Sequence, residues 1–106
     1  MDDDGKVRLT LFVMGTGPRS VRAIVNLRAL CEQALSGAYR LEVVDIAVEP
    51  GQARAHQLLA VPTLLINNAN PPHRFVGDLS DGERVLAALS GARNAIAGRA
   101  QNLHDG

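Results

Sequence analysis

Ala60-Val61-Pro62-Thr63-Leu64-Leu65-Ile66 is a proline-broken turn running straight into a short apolar stretch, Thr63 to Ile66, that reads as a buried strand. About forty residues upstream, Gly15-Thr16-Gly17-Pro18-Arg19 leads out of one regular element and into another. Before it, Val7, Leu9, Leu11 and Val13 alternate with Arg8, Thr10 and Phe12, the period of a strand with one strongly apolar face. After it, Pro18 suits a first helical position, and Val21, Ile24, Val25, Leu27, Cys31, Ala34 and Leu35 recur at helical spacing. Arg22, Asn26, Ala29 and Gln33 form the opposite stripe of that helix. Gly37 supplies a C-terminal stop, and Tyr39 to Ile46 is rich in β-branched residues, so a second strand follows. Strand, helix and strand in this order imply a right-handed parallel unit.

Downstream, Pro50 opens a weak helix within Glu49 to Leu59, where apolar positions are sparse and Gly51 lowers helix propensity. Asn67 to Pro72 is a turn-rich link, and Arg74-Phe75-Val76 is the returning strand of an antiparallel hairpin with Thr63 to Ile66. Ser80-Asp81-Gly82-Glu83 has the form of a capping box, which starts a last helix with Val85, Leu86, Leu89 and Ala92 as its apolar stripe and Ile96 extending it. The expected order is βαβαββα, an α/β chain with a mixed sheet flanked by helices, which is the thioredoxin-like arrangement. Its parts are an acidic N-terminal extension at 1–6, one domain at 7–97 and a mobile tail at 98–106.

Composition narrows the function. The 106 residues carry eleven basic and eleven acidic side chains, so no net field draws the chain onto nucleic acid or anionic lipid. With 46% hydrophobic residues but only two Phe, one Tyr and no Trp, the core must be aliphatic. A single Cys rules out an internal disulfide, and His56, His73 and His104 are too scattered for a zinc site. The acidic Met1-Asp2-Asp3-Asp4-Gly5 start is unlike a signal peptide, and no apolar run approaches the roughly 18 residues of a membrane span. A soluble, cytoplasmic protein is expected.

The side chains that bear chemistry do not form a catalytic set. Gly15-Thr16-Gly17, with Asp45 ending the next strand, is a truncated dinucleotide fingerprint lacking its third glycine. Cys31 falls among the apolar positions of the first helix and reads as a small core residue. His73 beside Arg74 reads as surface or as part of a binding patch, and Asp78, Asp81 and Glu83 are accounted for by turn formation and capping. No nucleophile, base and orienting acid emerge together, so no enzymatic activity, cofactor or metal is expected.

Several segments, taken in order, resemble the KaiB family of circadian clock proteins. They are Leu9 to Val13, Gly15, Pro18, Ser20-Val21-Arg22-Ala23, Leu27, Tyr39, Leu41, Val43, Asp45 and Pro50, then Leu59-Ala60, Pro62-Thr63-Leu64, Pro71, Arg74, Gly77-Asp78-Leu79-Ser80-Asp81 and Glu83-Arg84-Val85-Leu86. The resemblance covers roughly residues 7 to 90. It implies a thioredoxin-like shape in which Thr16 and Arg19 stand where a thioredoxin carries its cysteines; neither can form a disulfide or act as a low-pKa nucleophile. It also implies a cis Val61-Pro62 bond, whereas only about 5% of X-Pro bonds in folded proteins are cis.

The resemblance further implies a noncatalytic adaptor that docks on a KaiC-like ATPase ring, with a KaiA-like protein or a histidine kinase as further partners; it also allows a homo-oligomer. Arg22 and Arg74 match basic positions of the family associated with partner binding, while Gln57 occupies a third such position. An alternative is a thioredoxin-like sensor module of a histidine-kinase pathway, and a weaker one is a redox protein. The family is metamorphic, and Pro62, Gly77, Asp78, Ser80, Glu83 and Ala88 are expected to set the fold. Where typical members read Val-Leu-Ile-Gly-Leu-Asp, this chain reads Val85-Leu86-Ala87-Ala88-Leu89-Ser90, and both alanines favour helix. The thioredoxin-like state is therefore the expected resting form. The acidic tail common in the clock proteins is replaced by the mixed charges of Arg93 to Gly106.

Overall fold

The alternating stretch Val7–Val13 becomes β1, an inner strand of a four-stranded mixed sheet. The computed structural model describes residues 5–69 and 73–105; Met1–Asp4 of the acidic extension, Asn70–Pro72 of the turn-rich link and Gly106 lie outside the described residues. After β1 come α1 (Pro18–Leu35), β2 (Tyr39–Asp45), α2 (Pro50–Ala55), β3 (Thr63–Ile66), β4 (His73–Val76) and α3 (Gly82–Asp105). Strand order is β2-β1-β3-β4, with β1 parallel to β2 and β3 antiparallel to both β1 and β4. Residue by residue, Leu11 lies beside Val43 on one side and Leu64 on the other, and Leu64 lies beside Phe75.

Period-two alternation puts Val7, Leu9, Leu11 and Val13 on one face of β1, where they meet Ala23, Leu27, Cys31 and Leu35 of α1 and Val85, Leu89 and Ala92 of α3 in one buried cluster. Leu27 is fully buried, and its truncation to Ala is expected to cost about 2–5 kcal/mol. Gly82, at the start of α3, lets the two helices approach: a Cβ there would lie 3.3 Å from Leu30 Cδ2. On the other face, the cross-strand neighbours Phe12, Val44 and Thr63 are buried, and the His56 ring packs on Phe12 with centroids 4.9 Å apart. His56 directly follows the six-residue α2, which brings that ring to this face.

Two local expectations need correction. Val21 and Val25, read as core, are 49% and 60% exposed; the helix is rotated so that Ser20, Ala23, Leu27, Cys31 and Leu35 face the sheet. α1 ends through two left-handed residues, Ser36 (φ 49°) and Gly37 (φ 87°), so the glycine stop follows a serine cap. α3 itself runs on through Gly98 to Asp105, over most of the stretch read as a tail. One interior glycine costs only about 1 kcal/mol, and Ala95, Ala97, Arg99, Ala100 and Gln101 are good helix formers around it.

Candidate docking surface

The registers gather the functional candidates at one end of the sheet. Val13 pairs with Asp45, Phe12 with Thr63, and Thr63 with Val76, so the exits of β1, β2 and β4 and the entry to β3 lie together. In open α/β folds this end, beyond the carboxyl ends of the parallel strands, is where ligands meet the sheet. The Gly15–Gly17 loop is tied down there, because Asp45 Oδ1 accepts the Gly15 N–H at 2.8 Å and the Ala47 N–H at 2.9 Å. Asp45, the acidic residue of the truncated dinucleotide fingerprint, thus closes its own neighbouring turns. The Val61-Pro62 bond is cis, Pro62 is buried, and its carbonyl accepts the Gly77 N–H at 2.8 Å. Thr63 Oγ1 donates to the Ala60 carbonyl at 2.6 Å.

Asp78 is the hub between α1 and the turn into α3. Its carboxylate pairs with Arg22 Nη1 at 3.3 Å and accepts the Ser80 N–H at 3.1 Å, while its carbonyl accepts Asn26 Nδ2 at 2.9 Å. Hydrogen bonds from Ser80, then from Arg22, hold the carboxyl below its ordinary pKa. The Arg22 side chain is 57% exposed, so this pair contributes little net stability and chiefly fixes geometry. The turn needs fixing, since Gly77 has φ 114°, a region closed to side chains, and buried Leu79 has φ 65°. Ser80 therefore serves Asp78 as the helix begins at Gly82, two residues beyond the serine, whereas the capping-box reading sent it to Glu83. Glu83 sits exposed in the first turn, where a negative charge complements the helix dipole.

Arg74 projects to the other side of the sheet, where Nη2 donates to the His56 carbonyl at 3.0 Å and Nη1 to the Gln57 carbonyl at 3.3 Å. Gln57 itself is left-handed, φ 53°. Arg74 and Asp78 both line one shallow cleft with Gly77, Ser80 and Arg84, but the Arg74 guanidinium turns to the His56 and Gln57 carbonyls while Arg22 meets Asp78 from α1, so the two arginine heads are not brought together. Ala88 lies away from the cleft, half-buried against the core. His73 stacks on Phe75, with centroids 6.3 Å apart. Two features were missed in the sequence: Asn26 was placed on a solvent stripe, and nothing marked the carbonyls of His56 and Gln57 as acceptors for Arg74.

Cys31 is fully buried, and burial, with a smaller push from Glu32, raises its thiol to about 12. That is the reverse of a reactive cysteine's setting. Among the described residues no group of three His, Cys, Asp or Glu could hold a metal ion, and no helix is long and apolar enough to cross a membrane.

A family model described as the KaiB domain matches residues 10–90. The chain belongs to the KaiB family. Two relatives named circadian clock oscillator protein KaiB agree: the protein of Prochlorococcus marinus (strain MIT 9313) is 44% identical over 81 residues, covering 76% of this chain and 68% of that one. The protein of Nostoc punctiforme is 43% identical over 81 residues, covering 76% and 78%. Among solved structures, chloroplastic thioredoxin z superposes with a TM-score of 0.68 at 13% identity, covering 85% of this chain and 80% of that one. The N-terminal domain of Synechococcus elongatus SasA gives 0.66 at 19% identity and 79% of each chain. At these identities the structural likeness is one of fold: the KaiB-family chain has the thioredoxin-like arrangement expected of it.

Proposed function

We propose that this KaiB-family chain is a noncatalytic adaptor in the cytoplasm that docks on a KaiC-like ATPase ring and changes which other proteins the ring accepts, in circadian timing or stress signalling. The observation that carries the reading is the furnishing of the sheet end. The loop that in thioredoxins bears the thiols has Thr16 and Arg19 here and is tied to Asp45, while Arg22 pairs with Asp78 in the turn after β4 and Arg74 with the His56 and Gln57 carbonyls. Arginine suits an interface, because its planar fork can keep an internal hydrogen bond and still offer donors to a partner carboxylate. A KaiA-like protein or a histidine kinase would then be a co-ligand or competitor of the ring-bound form. The test is a titration of a purified KaiC-like ring with wild-type protein and with Arg22→Ala plus Arg74→Ala. Loss of binding in the double variant supports the reading, and binding equal to wild type removes these two residues from it.

A further inference from the structure

The Leu58–Val61 segment is tightly bonded and holds a large apolar side chain in water. Leu59 is 98% exposed. Yet the chain on either side is fixed. Leu58 N–H donates to Ala53 O at 2.9 Å, and Gln57 N–H to Arg54 O at 3.2 Å. The Arg74 fork holds the carbonyls of His56 and Gln57, Thr63 Oγ1 holds the Ala60 carbonyl, and Pro62 is buried. Beside Leu59 lies a shallow hollow whose walls, among them Ile46, Ala53, Leu58 and Val61, include no charged side chain. Val48, in the loop leading to α2, is a further 75% exposed aliphatic.

We infer that Leu59 is the apolar anchor through which this protein docks on its partner, and that Arg74 is a positioning residue that presents it. The inference rests on the adaptor reading above and names the chemistry of the contact. An apolar side chain carried on a bonded turn costs little backbone ordering on binding and gains its transfer from water, which is the character of an interface anchor. Arg54, in the last turn of α2 and next in sequence to Ala53 of the hollow's wall, defines the complement: an apolar socket on the partner protein edged by carboxylate. Arg74 acts on the partner through this turn, whose His56 and Gln57 carbonyls its fork holds.

The experiment measures affinity for a purified KaiC-like ring by wild type, Leu59→Ala, Arg74→Ala, Arg74→Lys and the Leu59→Ala/Arg74→Ala pair, with amide exchange recorded on each free protein. Leu59→Ala is expected to weaken binding at least about tenfold while leaving stability unchanged, as its side chain touches almost nothing in the free protein. Arg74→Ala is expected to speed amide exchange at Leu58 and Leu59, and the pair to fall well short of the product of the two single effects. Arg74→Lys keeps the charge but not the fork, and is expected to bind like Arg74→Ala. Wild-type binding with Leu59→Ala within about twofold of it overturns the anchor, and full affinity of Arg74→Lys or a multiplicative pair overturns the positioning role. A ring that wild type leaves unbound overturns the adaptor reading itself, and this inference with it.

Discussion

Restoring the helix-weakening residues at positions 87 and 88 is the perturbation that bears most directly on why the chain rests in the thioredoxin-like arrangement. Ala88 is half-buried against the core in the second turn of α3, and Ala87 is exposed beside it. Ala88→Gly removes about 1 kcal/mol of helix propensity and about half the value of a buried methyl, roughly 0.4 kcal/mol. Ala87→Ile adds a few tenths, for a total of about 1.5–2 kcal/mol. For a domain of this size that corresponds to a fall in Tm of roughly 10 °C. Gly91 supplies the reciprocal experiment on the same helix: it is exposed, and a Cβ there would meet nothing within 4 Å. Gly91→Ala should therefore raise stability by about 1 kcal/mol through propensity alone. Thermal and urea unfolding followed by circular dichroism reads both. Because two folds of one sequence coexist only when they lie within a few kcal/mol, NMR of the Ala87→Ile/Ala88→Gly protein also reports whether residues 85–90 leave the helix. A double variant as stable as wild type, together with a Gly91→Ala protein no more stable, would refute helix propensity in α3 as the determinant.

Three further outcomes are expected. Gly77→Ala, forced to φ 114°, should destabilise the protein by about 1–3 kcal/mol in urea unfolding, whereas Gly17→Ala, with ordinary φ and open space around it, should not. The folded-state pKa of Asp78 is lowered, so its contribution is present above the unfolded carboxylate value and lost as pH falls through the folded one; wild type should lose more stability than Asp78→Asn on acidification below about pH 4, and the two curves should converge. The Cys31 thiol, buried and raised to about 12, should react with a thiol reagent at pH 8 only as fast as the protein unfolds, and prompt reaction in the native state would contradict its place in the core.

The sheet was legible because its signals are local. The alternation in Val7–Val13 and the four residues Thr63–Ile66 need no tertiary information to be read, and both strands lie where the pattern puts them. The ends of elements were harder. Ser80 looked like a helix cap by spacing, but a competing acceptor two residues back, Asp78, takes its N–H, which no spacing rule ranks. Val21 and Val25 fit the helical period, yet the helix is turned so that smaller residues, Ser20 and Ala23, meet the sheet. At the docking surface, the type and position of Arg22 and Arg74 could be read, but not what they hold. Arg22 reaches Asp78 across 56 residues of sequence, and Arg74 reaches backbone carbonyls that carry no side-chain signature.

The most direct measurement is amide exchange of this protein free and bound to a purified KaiC-like ring, read at single-residue resolution. Slowed exchange concentrated at Met14–Asn26, His56–Val61 and Arg74–Ser80, with α3 helical in both states, is the expected result. Binding accompanied by protection elsewhere and none at these segments, or no binding to the ring at all, would contradict the proposal that this end of the sheet is the docking surface.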